Sequence, residues 1–246
     1  MDTIDMYKYS FPVIGGDIRH DTQEPSMVLN QIYGTAFSIG SGFFLTAAHV
    51  INSVREHKWH GLGYSENKIW LSCVSTDFET IVDYDIGILK VQSIDCLEMD
   101  WDNNTLPMSQ RVLTAGYPYS FDNHNMAINI RAFSGYIVSD PQFYSLPAKP
   151  SVYELQFPCP RGLSGAPLFT PGSSPKIVGM IIGNHSTEML VYSQREIEED
   201  SNNKSIVERY EALQLGIALQ TNSVLDCHFE LLGSTLGSHL KRSKLI

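Results

Sequence analysis

Three short segments of the chain carry side chains that could carry out hydrolytic chemistry together. In chain order they contain a histidine, an aspartate and a serine, and they are residues 46–49 (TAAH), 83–91 (DYDIGILKV) and 161–168 (RGLSGAPL). A serine hydroxyl is a poor nucleophile at neutral pH, so an adjacent base must take its proton as it attacks a carbonyl group. An imidazole suits that role because it titrates near neutral pH. The segments predict Ser164 as nucleophile, His49 as base and Asp85 as the group that orients the base.

The residues around each candidate indicate how its side chain reaches a cleft. A β-rich run ends in small residues just before His49, which leaves the imidazole on the following turn. Asp85 stands at the start of an apolar strand, where a carboxylate can be buried beside an imidazole. Gly162 and Gly165 flank Ser164 and allow a tight backbone path that exposes the hydroxyl. Each segment alone is a weak signal, and the prediction depends on their combination and order.

The order histidine, aspartate, serine on a β-rich chain resembles that of the trypsin-like serine peptidases, which have the chymotrypsin fold. The resemblance covers residues 33–220. It implies that His49, Asp85 and Ser164 form a catalytic triad that works through an acyl-enzyme. It also implies that the backbone N–H groups of Gly162 and Ser164 form the oxyanion hole, which binds the negative charge that develops on the substrate oxygen.

Two departures from that pattern narrow the resemblance. The digestive members place an aspartate directly before the nucleophile, where it pairs with a newly cut amino terminus, but this chain has Leu163 there. Residues 13–16 (VIGG) look like an activation site, and we interpret that likeness as a coincidence. Val50 follows His49 and no cysteine accompanies it, so the disulfide of the secreted relatives is absent. Both departures indicate that the chain resembles the intracellular or bacterial trypsin-like peptidases and the HtrA-type peptidase domains more than the digestive ones.

The resemblance also implies where the substrate binds. Residues 177–184 correspond to the strand that pairs with the substrate backbone. The expected substrate-binding residues are Cys159, Arg161, Ile182, Asn184 and Gly216. None of them is acidic, so the sequence gives no support for cleavage after Lys or Arg, and we expect a small to medium, apolar pocket.

Short β-rich runs separated by Gly, Pro and Asn predict an all-β chain. With the resemblance, the expected architecture is two packed six-stranded antiparallel β-barrels and a C-terminal helix in one peptidase domain, residues 1–246. We place the N-terminal barrel at about residues 25–105, the C-terminal barrel at about 106–222 and the helix and tail at 223–246. A cap at Asn222 or Ser223 and an amphipathic pattern that stops at Gly233 predict the helix. The acidic residues 194–204 predict an exposed loop.

Composition restricts the partners and the compartment. The 246 residues include 17 basic and 27 acidic side chains, a net charge of −10 that repels nucleic acid and anionic membranes. The four cysteines show no metal-ligand spacing and no disulfide framework, and no signal peptide or membrane span is visible. We therefore expect a cytoplasmic protein with no cofactor and no metal, acting on a protein or peptide substrate.

Two further functions stay open at this point. The same fold could serve as a binding or regulatory module that is inactive or controlled by an activating protein partner. An esterase using the same triad on small esters is a third reading, with no supporting feature in the sequence. An intact set of three candidate residues favours the serine endopeptidase.

Overall fold

The computed structural model describes residues 5–19, 26–66, 69–92, 94–119, 121–122, 127–197 and 204–246. Two closed six-stranded barrels make up most of it, and every strand pair within them is antiparallel. Because both barrels and a C-terminal helix are present, the predicted all-β architecture is confirmed. No helix in these ranges is long and apolar enough to cross a membrane.

The first barrel has the strand order β1-β2-β3-β6-β5-β4. Its strands are β1 (Phe11–Arg19), β2 (Ser26–Gly40), β3 (Phe43–Ala47), β4 (Trp59–Glu66), β5 (Ile69–Ile81) and β6 (Ile86–Val91). The barrel closes where β1 pairs with β4, with Val13 opposite Leu62. Phe37, Leu45 and Ile88 are almost completely buried inside it, and burial of such apolar side chains is the main favourable contribution to folding.

The first barrel begins earlier in the chain than the sequence predicts. The predicted boundary lies near residue 25, but β1 starts at Phe11. The register of β1 against β2 shifts at two places, one of them between Gly15 and Gly16. These irregularities break the alternating pattern by which a strand is recognised. Val13 and Ile14, which resemble an activation site, are buried in the barrel wall.

The second barrel has the strand order β10-β11-β14-β13-β12-β7. Its strands are β7 (Arg111–Gly116), β10 (Arg131–Ser139), β11 (Val152–Leu155), β12 (Pro167–Phe169), β13 (Ile177–Ile197) and β14 (Lys204–Gln220), and a small hairpin of β8 (Phe121–Asp122) and β9 (Ala127–Ile128) precedes β10. Strands β13 and β14 stay paired out to Ile197 opposite Lys204. The prediction of a loop at residues 194–204 is therefore wrong at both ends, because residues 194–197 and Lys204 lie in strands. Residues 198–203 lie outside the described residues.

One apolar core runs between the two barrels. Phe37 and Leu45 of the first barrel belong to the same buried cluster as Met180 and Leu219 of the second. The backbone N–H of Thr35 in β2 also donates a hydrogen bond to the carbonyl oxygen of Ser164, at 2.8 Å. The barrels are thus packed together where the candidate nucleophile lies.

The C-terminal helix is present, but it lies further along the chain than predicted. After β14 come α2 (Thr221–Val224), β15 (His228–Phe229), β16 (Ser234–Thr235) and α3 (Leu236–Arg242). The Thr235 side chain accepts a hydrogen bond from the N–H of Ser238 and caps α3. Apolar residues before Gly233 fit a helical spacing, yet tertiary contacts form a two-stranded hairpin there.

Helix α3 packs on the first barrel, although it follows the second in sequence. His239 is buried, and its Nε2 donates to the carbonyl oxygen of Ile39 in β2 at 2.9 Å. The backbone N–H of Trp101 donates to the carbonyl oxygen of Leu245 at 2.7 Å. The C-terminal segment therefore belongs to the core of the folded protein.

We expect Leu240→Ala to lower the free energy of unfolding by about 2–5 kcal/mol, because the side chain is fully buried and its removal leaves a cavity. Urea unfolding followed by circular dichroism measures the change. Lys241→Ala, on the exposed side of the same helix, is the matched control and should change the value by less than about 0.5 kcal/mol. Equal effects of the two variants would contradict the docking of α3.

Candidate active site

His49 lies in the first turn of α1 (Ala48–Val54), directly after β3. The helix buries Ala48, Val50 and Ile51 against the first barrel, which turns the imidazole outward. The backbone N–H of Ala48 donates to the carbonyl oxygen of Asp85 at 3.1 Å and fixes the start of the helix. The His49 side chain is about half exposed, at 49%. An imidazole held in this way can meet a ligand from solvent.

Asp85 holds His49 by two contacts. Its Oδ2 lies 2.8 Å from His49 Nδ1, and its Oδ1 accepts the backbone N–H of His49 at 2.9 Å. Asp85 adopts a left-handed conformation (φ 52°, ψ 41°) at the end of a short 3-10 helix, a conformation that aspartate tolerates better than most residues. A carboxylate accepting from Nδ1 fixes the neutral tautomer whose Nε2 carries the free lone pair. His49 Nε2 is thereby left able to accept a proton.

Ser164 lies in two successive tight turns that only glycine can form. Gly162 and Gly165 have φ of +98° and +85°. A Cβ on Gly165 would lie 2.1 Å from the carbonyl oxygen of Thr35, and a Cβ on Gly162 would lie 2.6 Å from that of Tyr117. Both the backbone angle and the lack of space exclude other residues at these positions.

The turn before Ser164 controls the direction of one backbone N–H group. Leu163 N–H donates to the carbonyl oxygen of Pro160 at 3.0 Å, and Gly162 stands third in that turn with positive φ, as in a type II turn. The peptide between Arg161 and Gly162 points the opposite way in a type I turn, so this φ decides where the Gly162 N–H points. In the described part of the chain, the backbone N–H groups of Gly162 and Ser164 have no hydrogen-bond acceptor.

Thr35 holds the carbonyl groups beside those N–H groups. Its hydroxyl donates to the carbonyl oxygen of Gly162, and its backbone N–H donates to that of Ser164, both at 2.8 Å. The same hydroxyl accepts the backbone N–H of Tyr117 at 3.1 Å, and Thr46 Oγ1 donates to the Thr35 carbonyl oxygen at 2.6 Å. The local sequence does not mark Thr35 as a residue of the site, because a threonine in a β-rich run is ordinary. Its position next to Gly34 is the only signal.

Gly34 lets the segments that carry His49 and Ser164 meet. A Cβ on Gly34 would lie 2.5 Å from the Val50 side chain and 2.8 Å from the carbonyl oxygen of Ser164. The neighbour of His49 and the backbone of Ser164 therefore both pack on this glycine. The Ser164 hydroxyl donates to the carbonyl oxygen of Ile182 at 3.4 Å. Among the described residues no hydrogen bond joins it to His49.

Three of the five predicted substrate-binding residues contact one another, and a fourth, Ile182, contacts Ser164. Asn184 in β13 pairs with Gly216 in β14, and its carboxamide bonds both backbone groups of Cys159. Burial raises the pKa of the Cys159 thiol to about 12, so the thiol is neutral. Arg161 is exposed, directly before Gly162. Ile182 is mostly buried and offers its carbonyl oxygen to the Ser164 hydroxyl.

The edge of β13 next to Ser164 is free. Strand β12 pairs with β13 only as far as Met180, and the last contacts on that side are between Ile181 and the backbone of Gly165 and Ala166. From Ile182 to Asn184 this edge faces no strand in the described ranges. An extended peptide could pair with it.

Within the described residues no group of three His, Cys, Asp or Glu side chains could hold a metal ion. His57 and His60 lie three residues apart, and His57 contacts the Tyr33 hydroxyl. Burial lowers the pKa of the other, His60, and the charge of His57 lowers it further.

Comparisons with known proteins identify the fold. No protein-family model and no curated protein matches the chain. Among solved structures, the active form of the Rv3671c protease from M. tuberculosis is 16% identical, with a TM-score of 0.53 over 89% of this chain and 78% of that one. The HtrA-type protease AlgW with a decapeptide is 12% identical, with a TM-score of 0.61 over 96% of this chain and 65% of that one.

A third similar structure is the MamO protease domain from Magnetospirillum magneticum. It is 14% identical, with a TM-score of 0.53 over 87% of this chain and 92% of that one. All three are trypsin-like or HtrA-type protease structures. The chain therefore has the chymotrypsin fold, as the order of its motifs predicts.

We expect Thr35→Val to destabilise the protein, because it leaves the carbonyl of Gly162 and the N–H of Tyr117 buried without a partner. Each such group costs about 1–3 kcal/mol. Thr35→Ser keeps the hydroxyl and loses one methyl group, worth about 1 kcal/mol. Denaturant unfolding of both variants measures the difference. If serine costs as much as valine, the hydroxyl does not hold the turn.

Proposed function

We propose that the protein is a serine endopeptidase that hydrolyses peptide bonds through an acyl-enzyme on Ser164, with His49 as general base and Asp85 as its orienting group. The observation that carries the proposal is the double contact of Asp85 with His49. This contact lies near Gly34, where the segment of His49 meets that of the glycine-flanked Ser164. The fold shared with known proteases agrees with it.

The first step requires the Ser164 hydroxyl to turn from Ile182 to His49. We propose a side-chain rotation for this step, since catalytic hydrogen bonds are often long before substrate binds. His49 Nε2 then takes the hydroxyl proton while Oγ attacks the carbonyl carbon of the substrate. Asp85 stabilises the imidazolium that forms and stays ionised. The same proton passes to the leaving amine, and water repeats the sequence to release the acyl group.

The backbone N–H groups of Gly162 and Ser164 are the proposed oxyanion hole. The positive φ of Gly162 and the absence, among the described residues, of an acceptor for either N–H support a hole that is formed before substrate arrives. One such donor contributes about 3–4 kcal/mol to the transition state. Thr35 anchors the loop that carries both donors, through its bonds to the carbonyl oxygens of Gly162 and Ser164.

The free edge of β13 is the proposed docking strand for the substrate. A peptide N–H that donates to the carbonyl oxygen of Ile182 competes with the Ser164 hydroxyl for the same acceptor. Substrate binding would thus release the hydroxyl for His49. The docking step and the activation of the nucleophile are coupled in this scheme.

A second candidate function is a partner-controlled binding or regulatory module. The observation that favours it is the Ser164 hydroxyl, which bonds Ile182 instead of His49. An activating protein that occupied the β13 edge would have the same effect as substrate.

For the compartment we propose the cytoplasm, because the thiols of Cys73, Cys96, Cys159 and Cys227 are all free.

A fluorophosphonate probe tests the nucleophile. We expect the wild-type chain to be labelled at Ser164 and Ser164→Ala to remain unlabelled, with mass spectrometry locating the adduct. Against a cleaved substrate, Ser164→Ala should lower kcat by on the order of 10⁶-fold. Persistent labelling of the variant would place the nucleophile elsewhere. An unlabelled wild-type chain would support the binding module.

Asp85→Asn tests the orienting group. It keeps the size of the side chain but no longer holds the required tautomer, so kcat should fall by roughly 10⁴-fold. Asp83→Asn, two residues earlier and exposed, is the matched control and should leave kcat unchanged. Steady-state kinetics on the same substrate compare the two. An unchanged rate in Asp85→Asn would remove Asp85 from the mechanism.

A further inference from the structure

A substrate docked on this site must send one side chain into a narrow gap. Its carbonyl carbon lies at Ser164 Oγ, and its backbone follows β13 from Ile182 to Asn184. In this pose the side chain before the cleaved bond would lie between two backbone segments, residues 159–162 and 182–184, which the Asn184 side chain joins. What fills that gap decides which substrates fit.

Asn184 bridges the gap with its side chain. Its Oδ1 accepts the backbone N–H of Cys159 at 2.5 Å, and its Nδ2 donates to the Cys159 carbonyl oxygen at 2.6 Å. Both polar atoms of the carboxamide are thus occupied, and they tie β13 to the segment that leads to Ser164. Asn184 itself is exposed, so the bridge lies at the mouth of the gap.

Cys159 fills the space beneath the bridge. The residue is 4% exposed, and a Cβ on Gly216 would lie 2.5 Å from its Sγ. The thiol of Cys159 therefore occupies the space that a side chain at position 216 would need. The Gly216 N–H donates to the carbonyl oxygen of Phe157 at 2.9 Å, which holds the floor of the gap in place.

From this geometry we infer that Asn184 closes the specificity pocket and restricts cleavage to bonds that follow a small residue, glycine, alanine or serine. The inference rests on the proposed function of the site. A larger side chain would have to displace the carboxamide and leave both backbone groups of Cys159 without partners. A polar group left unpaired in a site discriminates far more strongly than a missing methylene does.

No acidic group among the residues that form the pocket is available to pair with a long basic side chain. The thiol of Cys159 is neutral, and Asn184 carries no charge. Glu154, in β11 opposite Ile217, is already paired with His185 Nδ1 at 3.1 Å. The pocket therefore offers no free carboxylate among the residues that form it.

Thioesters of single N-acylated amino acids test the inference, because such activated substrates need no extended peptide. With the full chain we expect kcat/KM for the alanine thioester to exceed that for the phenylalanine thioester by on the order of 100-fold. Asn184→Gly removes the bridge and should reduce that ratio at least tenfold. Ser186→Gly, also a change of a polar residue to glycine and two residues along the same strand, is the control and should keep the wild-type ratio. Asn184→Ala replaces the glycine variant if that one does not fold.

Fluorophosphonate labelling separates two kinds of failure. A chain that is labelled at Ser164 but prefers phenylalanine, or an Asn184→Gly variant that keeps the wild-type ratio, overturns the inference alone. A wild-type chain that is not labelled overturns the proposed function and the inference with it. A preference for alanine that Asn184→Gly relaxes and Ser186→Gly retains supports the role of Asn184.

Discussion

The contact between Thr35 and the loop of Ser164 is the constraint on which the site depends. One residue of the first barrel bonds two carbonyl groups of the second, through its hydroxyl to Gly162 and its backbone N–H to Ser164. Both bonds anchor the loop of Ser164 to the first barrel. The shape of the loop is therefore set by packing between barrels, because its own sequence of glycines permits many other paths.

The geometry on the other side of the cleft is also fixed by a single residue. Asp85 bonds both the side chain and the backbone of His49. A single hydrogen bond would leave the imidazole free to rotate about it, whereas two contacts fix the ring relative to the start of α1. The left-handed backbone of Asp85 makes the double contact possible, since it turns the chain sharply between the 3-10 helix and β6. Backbone strain at this position is balanced by the contacts it allows.

Local patterns allow prediction of the fold class and of three candidate residues. Histidine after small residues, aspartate before an apolar strand and serine between glycines are all recognisable in short windows, and their order indicates the chymotrypsin fold. Strand β1 and the position of helix α3 escape prediction, because register shifts disturb the strand pattern and tertiary packing forms a hairpin where the helical spacing lies. The sequence offers no local reason for the docking of α3 on β2, which is separated from it by about 200 residues in the chain.

Long-range polar contacts are the part of the site that the sequence leaves open. Nothing local to Asn184 indicates that its carboxamide bonds Cys159, 25 residues away. Sequence reasoning places both residues in the pocket but cannot tell a side chain that lines a space from one that closes it. The distinction has a functional consequence, because the residue types alone predict a small to medium apolar pocket. With the carboxamide bonds included, separating these residues has an energetic cost, and the proposed selectivity then comes from polar groups that must stay paired.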